Sequence, residues 1–243
     1  MYQFVDGYRS AMDGCLLVAF VARSKNVQFC AEFGMGTGLI GISLAAAGWT
    51  EKIVGIEINA KAVALAKQNI KENGLESRVS VTCGDVRDRR ILEKIPIPDA
   101  VIMNPPFWEI NTQRLPQNID RRIGDHEVFG GLGDWVRSAS KMMKSKRNRL
   151  YIVYPAGKIQ KCVAELNAVS LSIERLCFVH PSYSKKAEMA LIEARKSRSK
   201  NTYIEPALYL KDNEGIGTSA AERILNGEFN EKMGKRRDRR DEP

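Results

Sequence analysis

Short apolar runs along the chain alternate with longer segments whose apolar residues recur at helical spacing. Five of the short runs have the length and composition of buried strands: Val27–Glu32, Lys52–Glu57, Val79–Cys83, Ala100–Met103 and Leu150–Tyr154. Runs of this kind separated by helical segments are typical of a parallel sheet covered by crossover helices. The pattern therefore predicts an α/β fold.

The segments between and around these runs predict the helices. Three of them have apolar residues at helical spacing: Cys15–Val21, Leu39–Ala47 and Lys158–Val169. A further helix begins at Asn59, whose side chain can cap it, and ends at Gly74; Val63, Ala66 and Ile70 share one face of it. The resulting strand–helix order predicts a doubly wound sheet, whose ligands bind beyond the carboxyl ends of the strands.

The carboxyl-terminal third is less regular. Ser172–His180 predicts a strand, and His180, which precedes Pro181, is interpreted as structural. Lys186–Arg195 is rich in Ala and Glu, so propensity alone predicts a helix there. We expect one domain over residues 1–227, followed by a basic, disordered tail at 228–243.

The charge of the chain favours a polyanionic partner. Thirty-eight Lys and Arg residues against 29 Asp and Glu give a formal charge of +9, which favours nucleic acid over a small neutral metabolite. Residues 137–149 carry six of the positive charges and no negative one, and they are equally consistent with phosphate contact and with the polar face of a helix.

Composition also bears on localisation and metal binding. No apolar stretch approaches the roughly 20 residues that a membrane span needs, and no secretory leader opens the chain, so we expect a cytoplasmic protein without membrane attachment. The five cysteines are scattered without metal-ligand spacing, which predicts reduced thiols and no metal site.

A glycine-rich turn follows the first strand and indicates a cofactor site. The chain there is Glu32-Phe33-Gly34-Met35-Gly36-Thr37-Gly38, and glycines allow the backbone to adopt positive φ and pass close to a ligand. Residues 36–41 also satisfy G-x-G-x-x-G, and Glu57 lies 21 residues beyond Gly36, as in a dinucleotide site. A dehydrogenase therefore remains an alternative at this point.

Three features favour S-adenosylmethionine. The acid-x-Gly-x-Gly-x-Gly pattern from Glu32 resembles the turn of class I methyltransferases. Glu57 can accept hydrogen bonds from both ribose hydroxyls of either cofactor. Asp85, at the end of the third strand, suits the adenine amino group of the methyltransferase cofactor, although a turn acid beside Gly84 is the alternative. The predicted cofactor contacts in this part of the chain are Glu32, Phe33, Gly34, Met35, Gly36, Gly38, Glu57, Ile58, Asp85, Val86 and Asn104.

The fourth strand ends in the tetrapeptide Asn104-Pro105-Pro106-Phe107, the candidate catalytic motif. It resembles the (Asn/Asp/Ser)-Pro-Pro-(Tyr/Phe/Trp) motif of methyltransferases that act on planar amino nitrogens. The Asn104 side-chain oxygen and the Pro105 carbonyl can accept the two hydrogens of such an amine, and the prolines hold that carbonyl in place. Phe107 can stack on the acceptor plane. The alternative is a Pro-Pro stop with an apolar cap.

Four further segments resemble those of the bacterial tRNA1(Val) adenine-N6 methyltransferases: 7–17, 122–127, 178–181 and 191–194. The resemblance implies that residues 1–26 cover the cofactor, with Arg9 and Asp13 in contact with it. It also implies that Lys186–Arg195 is an antiparallel final strand, against its helical propensity. Asp125 and Ser182 stand where the family has Arg, which removes positive charge from loops expected to face the substrate.

These features together predict a class I methyltransferase that transfers a methyl group from S-adenosylmethionine to adenine N6 in RNA, with tRNA as the expected partner. The same chemistry on rRNA, DNA or protein glutamine is the alternative acceptor. An RNA-binding module that has lost catalysis is the alternative of a different class.

Overall fold

The centre of the molecule is a sheet whose first five strands alternate with helices along the chain. The computed structural model describes residues 11–107, 130–197 and 201–228. The strands are β1 (Val27–Phe33), β2 (Thr50–Glu57), β3 (Val79–Cys83), β4 (Ala100–Met103), β5 (Arg149–Pro155), β6 (Leu171–Ser182), β7 (Met189–Lys196), β8 (Tyr203–Ile204) and β9 (Leu208–Lys211). The helices are α1 (Ala11–Ala22), α2 (Leu39–Ala46), α3 (Ala60–Glu72), α4 (Arg89–Leu92), α5 (Leu132–Met142), α6 (Ile159–Ala168) and α7 (Ser219–Leu225), and a 3-10 turn spans Ala156–Lys158.

The order of the strands confirms the predicted doubly wound fold. They lie in the order β3-β2-β1-β4-β5-β7-β6-β8, and β9 also pairs with β6. Neighbours among β1 to β5 are parallel, whereas β7 is antiparallel to both β5 and β6. The predicted antiparallel strand is therefore β7. Two short strands that the sequence analysis did not predict, β8 and β9, follow it and run parallel to β6.

Apolar side chains cover both faces of the sheet. The first face buries residues of α1, α2 and α3 together with Ile53 and Tyr151. The second face buries residues of α5 and α6 together with Phe33, Met103 and Tyr154. All four residues of β4 are buried, which explains why this strand is a continuous apolar run in the sequence.

The helix that propensity predicts at Lys186–Arg195 is wrong, and the strand that the family resemblance implies is correct. Residues 190–194 are all buried, and β7 forms ladders with β5 on one side and β6 on the other. A helix would bury only one stripe of these side chains. Pairing with two neighbouring strands therefore overrides the local preference of Ala and Glu.

The local signals around α3 are confirmed. The Asn59 side chain accepts hydrogen bonds from the backbone amides of Lys61 and Ala62 at 3.0 and 3.4 Å, which caps the helix. Gly74, with φ of +63°, follows the end of α3 and reverses the chain toward β3.

The basic run at 137–149 lies on the end of α5 and the turn that leads to β5. Two of its six charges are paired within the protein: Arg137 with Asp134 at 2.7 Å, and Arg149 with Glu193 at 3.0 Å. Arg9, the segment 122–127 and residues 229–243 lie outside the described residues. Within the described ranges, no helix has the length and apolar character needed to cross a membrane.

Candidate active site

The glycine-rich turn and the Asn-Pro-Pro-Phe motif meet at the carboxyl edge of the sheet. β1 and β4 are parallel neighbours, and Phe33 pairs with Met103 in their register. Gly34 follows the last residue of β1 and Asn104 follows the last residue of β4, so the two leave the sheet side by side. The strand order brings together two motifs that are 70 residues apart in the sequence.

The turn after β1 needs glycine at three positions. Gly34, Gly36 and Gly38 have φ values of +66°, +57° and +95°, a region that other residues adopt only with strain. The amides of Gly34 and Met35 donate to the carbonyl of Ile56 at 2.8 and 3.1 Å, which fastens the turn to the end of β2. The turn is thus held by backbone hydrogen bonds.

Glu57 lies beside this turn at the end of β2. One carboxylate oxygen accepts from the Gly36 amide at 2.8 Å and the other from the Asn59 amide at 2.8 Å. Burial raises the pKa of Glu57, and the hydrogen bonds from backbone amides oppose that rise. Each oxygen keeps further acceptor capacity, so the side chain can still receive hydroxyl donors.

Glu32 lies beneath the turn and is fully buried. Its pKa is raised well above the ordinary value, chiefly by burial and further by the negative charge of Glu57, although a hydrogen bond from the Gly41 amide acts in the opposite direction. Among the described residues, its Oε2 atom has no hydrogen-bond partner. A Cβ at position 41 would lie 2.5 Å from that oxygen, so glycine is needed for the carboxylate to fit.

Asp13 and Glu188 add negative charge at the same edge. Asp13 lies in the first turn of α1, and Glu188, just before β7, accepts from the Ala156 amide through its carbonyl at 2.8 Å. Burial, and then the charge of Glu188, raise the pKa of Asp13 to about 6. Its carboxylate therefore lies where a cation would be stabilised.

Asp85 is held by an ion pair that the sequence analysis did not predict. The Arg87 guanidinium donates to both carboxylate oxygens of Asp85, with the closest contact at 2.6 Å. Partial burial raises the pKa of Asp85. The hydrogen bonds and the charge of Arg87 together lower the pKa by more than burial raises it, so the net shift is downward. The Gly84 amide donates to the Glu57 carbonyl at 2.8 Å, which keeps Asp85 next to Glu57, while Val86 is buried on the second face.

The candidate catalytic motif presents an unpaired acceptor. Asn104 Oδ1 is buried and has no hydrogen-bond partner within the described part of the chain. Pro105 and Pro106 are buried, and Phe107 is half-buried against the core of the second face. An unsatisfied buried oxygen costs free energy, so this position favours a ligand that donates a hydrogen bond.

Two residues that the sequence analysis missed contact these motifs. Lys158 donates from Nζ to the Phe107 carbonyl at 2.5 Å. Trp135 packs edge-to-face on Phe33, and a Cβ at Gly34 would lie 2.5 Å from its ring. Lys158 follows β5, a predicted parallel strand, so its place at the carboxyl edge follows from the predicted sheet, whereas its position next to β4 is seen only in the structure. No sequence signal identified Trp135.

Comparisons with known proteins identify the family. A family model described as Methyltransferase small domain matches residues 13–123. A tRNA1(Val) (adenine(37)-N6)-methyltransferase from Flavobacteriaceae bacterium (strain 3519-10) is 32% identical over 171 residues, which are 70% of this chain and 70% of that protein. The chain belongs to the bacterial tRNA1(Val) (adenine-N6)-methyltransferase family. It is a member of the S-adenosylmethionine-dependent methyltransferases, and that compound is its cofactor.

Two further similarities extend beyond this family. A putative protein N5-glutamine methyltransferase (MJ0928) from Methanocaldococcus jannaschii is 35% identical over 122 residues, which are 50% of this chain and 54% of that protein. The crystal structure of a predicted O-methyltransferase (protein Atu636) from Agrobacterium tumefaciens superposes with a TM-score of 0.65 at 21% identity, covering 88% of this chain and 96% of that one. The structural similarity supports the fold alone.

The residues at the carboxyl edge fit this methyltransferase cofactor. S-Adenosylmethionine carries positive charge on its sulfonium and on its α-ammonium group. Buried carboxylates with raised pKa values favour a cation, and the unpaired Glu32 oxygen leaves an acceptor for one. The described residues contain no group of His, Cys, Asp and Glu side chains that could hold a metal ion.

Gly36 and Gly74 form a matched pair for testing the turn. Both have similar positive φ, +57° and +63°, and a Cβ at either would meet no described protein atom within 4 Å. Alanine at either position should therefore cost a similar free energy of unfolding, about 1–2 kcal/mol. We expect only Gly36→Ala to weaken the binding of S-adenosylhomocysteine, by about tenfold or more, because its methyl group would project toward the cofactor.

Calorimetric titration with S-adenosylhomocysteine and urea unfolding of both variants measure the two effects separately. Equal cofactor affinity in Gly36→Ala and Gly74→Ala would contradict a cofactor contact at Gly36.

Proposed function

We propose that this enzyme transfers a methyl group from S-adenosylmethionine to the exocyclic N6 atom of adenine in RNA, and that its substrate is a tRNA. The observation that carries the proposal is the buried, unpartnered Asn104 oxygen at the end of β4, directly beside the glycine-rich turn. The similarity of 70% of the chain to a tRNA1(Val) (adenine(37)-N6)-methyltransferase and the charge of +9 support an RNA acceptor over a neutral metabolite. We expect the enzyme to act in the cytoplasm.

The residues that we propose to hold the cofactor follow from their places at this edge. Glu57 receives the ribose hydroxyls, and Asp85 receives the adenine amino group while it remains paired with Arg87. Asp13 and Glu32 stabilise the positively charged end, together with Arg9, which lies outside the described residues. When bound, S-adenosylmethionine supplies a methyl group activated by the neighbouring sulfonium.

The acceptor amine needs help because its lone pair is delocalised into the adenine ring. The Asn104 oxygen and the Pro105 carbonyl accept its two hydrogens, which favours a pyramidal nitrogen with the lone pair free to react. Phe107 stacks on the base, and Lys158 fixes the Phe107 carbonyl. The methylated nitrogen then releases a proton to solvent, so no histidine base is needed, in a chain that has only two histidines.

A duplex would hide the adenine amine from this pocket. The acceptor base must therefore be flipped out of a helix or lie in a single-stranded loop. Loops of a folded tRNA meet this requirement without the cost of breaking a base pair.

The test uses unmodified tRNA transcripts, methyl-labelled S-adenosylmethionine and nucleoside mass spectrometry. We expect labelled N6-methyladenosine in a tRNA, and no label in an rRNA fragment, in duplex DNA or in protein. Label in a protein glutamine would instead favour the activity named for the Methanocaldococcus relative. Absence of label from every tRNA, with cofactor binding intact, would overturn the tRNA assignment.

A further inference from the structure

A group of aromatic side chains lies on β6, β9 and the turn after β6. The rings of His180 and Tyr209 are 4.9 Å apart between centroids, and those of Tyr183 and Tyr209 are 4.7 Å apart. His180 and Tyr209 are partners in the parallel register of β6 and β9, so their side chains project from the same face. Tyr183 is 54% exposed and, unlike the more exposed Tyr203, belongs to a contiguous group of rings.

His180, Tyr183 and Tyr209 together form an aromatic platform. Two hydrogen bonds fix the turn after β6: His180 donates from Nδ1 to the Lys185 carbonyl at 2.8 Å, and the Lys185 amide donates to the Ser182 carbonyl at 3.1 Å. The ring of His180 therefore has a set orientation, which agrees with its predicted structural role. That role leaves the exposed ring of Tyr183 unexplained.

The platform lies at the same edge and on the same face of the sheet as the catalytic motif. β6 runs parallel to β4 and β5, so its carboxyl end lies at the edge where Asn104 leaves β4. Phe178, two residues before His180, packs against the core of the second face, as does Phe107. Only β5 and β7 lie between β4 and β6, a separation of three strand spacings or about 14 Å.

Basic side chains surround the platform. Lys185, Lys186 and Lys211 are all exposed, and Lys211 pairs in register with Ser182 at the end of β6. Of the neighbouring acids, Asp212 accepts hydrogen bonds from the Glu214 and Ile216 amides in its own turn. Glu188, which is exposed and whose amide donates to the Val179 carbonyl at 2.9 Å, lies on the β7 side of the platform, so the lysines flank the rings from the turn after β6 and from β9.

We propose that the aromatic platform binds single-stranded nucleotides of the substrate RNA that flank the acceptor adenine. Aromatic rings bordered by lysines are the combination that holds unpaired bases by their faces and the backbone by its phosphates. This inference rests on the proposed function, because it assigns a second contact surface to the same RNA.

The test compares steady-state kinetics of Tyr183→Ala/Tyr209→Ala with those of the wild-type enzyme on the tRNA transcript that the latter methylates. We expect the KM for tRNA to rise roughly tenfold or more, with kcat at saturating RNA and the KM for S-adenosylmethionine unchanged. Tyr209→Phe should retain the wild-type KM, because it keeps the ring. Tyr203→Ala is the matched control: Tyr203 is 60% exposed, but it lies on β8 opposite Arg175, away from the carboxyl end of β6.

A second measurement keeps this test independent of the methylation assay and of the folding of the double variant. Tyr183→Ala alone changes an exposed ring, and fluorescence anisotropy with a labelled single-stranded oligoribonucleotide of about ten nucleotides reports binding directly. Weaker binding by Tyr183→Ala than by Tyr203→Ala supports the platform even if no tRNA is methylated, an outcome that would overturn only the proposed substrate. Unchanged oligonucleotide affinity and unchanged tRNA KM in the tyrosine variants would overturn the platform itself.

Discussion

Replacing Asn104 by alanine is expected to lower the single-turnover rate of methyl transfer by about 10²–10³ at saturating cofactor and RNA. The side chain contributes a buried acceptor oxygen with no partner among the described residues, so its binding capacity is available to the acceptor amine. Without it, one amine hydrogen loses its acceptor and the nitrogen stays conjugated to the ring. The rate of labelled methyl transfer to tRNA in a rapid-quench experiment measures the effect.

Asn104→Asp is the informative control for this prediction. Aspartate keeps an oxygen at the same place and should retain more of the rate than alanine, whereas a purely structural role for the amide would make both variants similarly inactive. Because Asn104 is also an expected cofactor contact, S-adenosylhomocysteine affinity must be measured in each variant. An Asn104→Ala enzyme with the wild-type rate and normal cofactor affinity would refute the proposed mechanism.

Much of this architecture could be predicted because parallel strands buried on both faces leave a clear sequence signal. β4 is a run of apolar residues, β1 ends at a glycine turn, and Asn59 marks the start of a helix. Since parallel strands share one carboxyl edge, the prediction of a parallel sheet already places Gly34 and Asn104 at the same edge. The pairing of β1 with β4 in the structure makes them neighbours. The close neighbourhood of the cofactor turn and the catalytic motif thus follows from topology.

The remaining features depend on contacts that local sequence does not encode. Residues 190–194 favour a helix in isolation and form a strand only because β5 and β6 offer ladders on both sides. β8 and β9 are too short to show a period. The Arg87 pair on Asp85 and the Lys158 contact with Phe107 depend on side-chain placement, which spacing alone does not determine.

A buried ion cluster around Arg175 stabilises the fold, and removing this side chain is expected to have a large effect on the free energy of unfolding. Arg175 is 3% exposed; it donates to Glu193 at 2.7 Å, to Glu205 at 2.9 Å and to the Phe20 carbonyl at 3.1 Å. Its guanidinium also lies 3.7 Å from the centre of the Phe20 ring. One side chain thereby joins β6, β7, α1 and the segment after β8.

Arg175→Ala is expected to lower the free energy of unfolding by about 3–5 kcal/mol, because it leaves the buried Glu193 carboxylate and the partly buried Glu205 carboxylate with fewer partners. Arg89→Ala is the matched control, since Arg89 pairs with Glu93 on the surface at 84% side-chain exposure and should change stability by less than about 1 kcal/mol. Guanidinium unfolding followed by circular dichroism gives both values.

The free energy of unfolding of Arg175→Lys should lie between those of Arg175→Ala and Arg89→Ala, because lysine keeps the charge but loses the planar fork that reaches both acids at once. Equal stability of the Arg175→Ala and Arg89→Ala variants would show that Arg23 and Arg149, which also pair with Glu205 and Glu193, suffice to hold these acids in the fold.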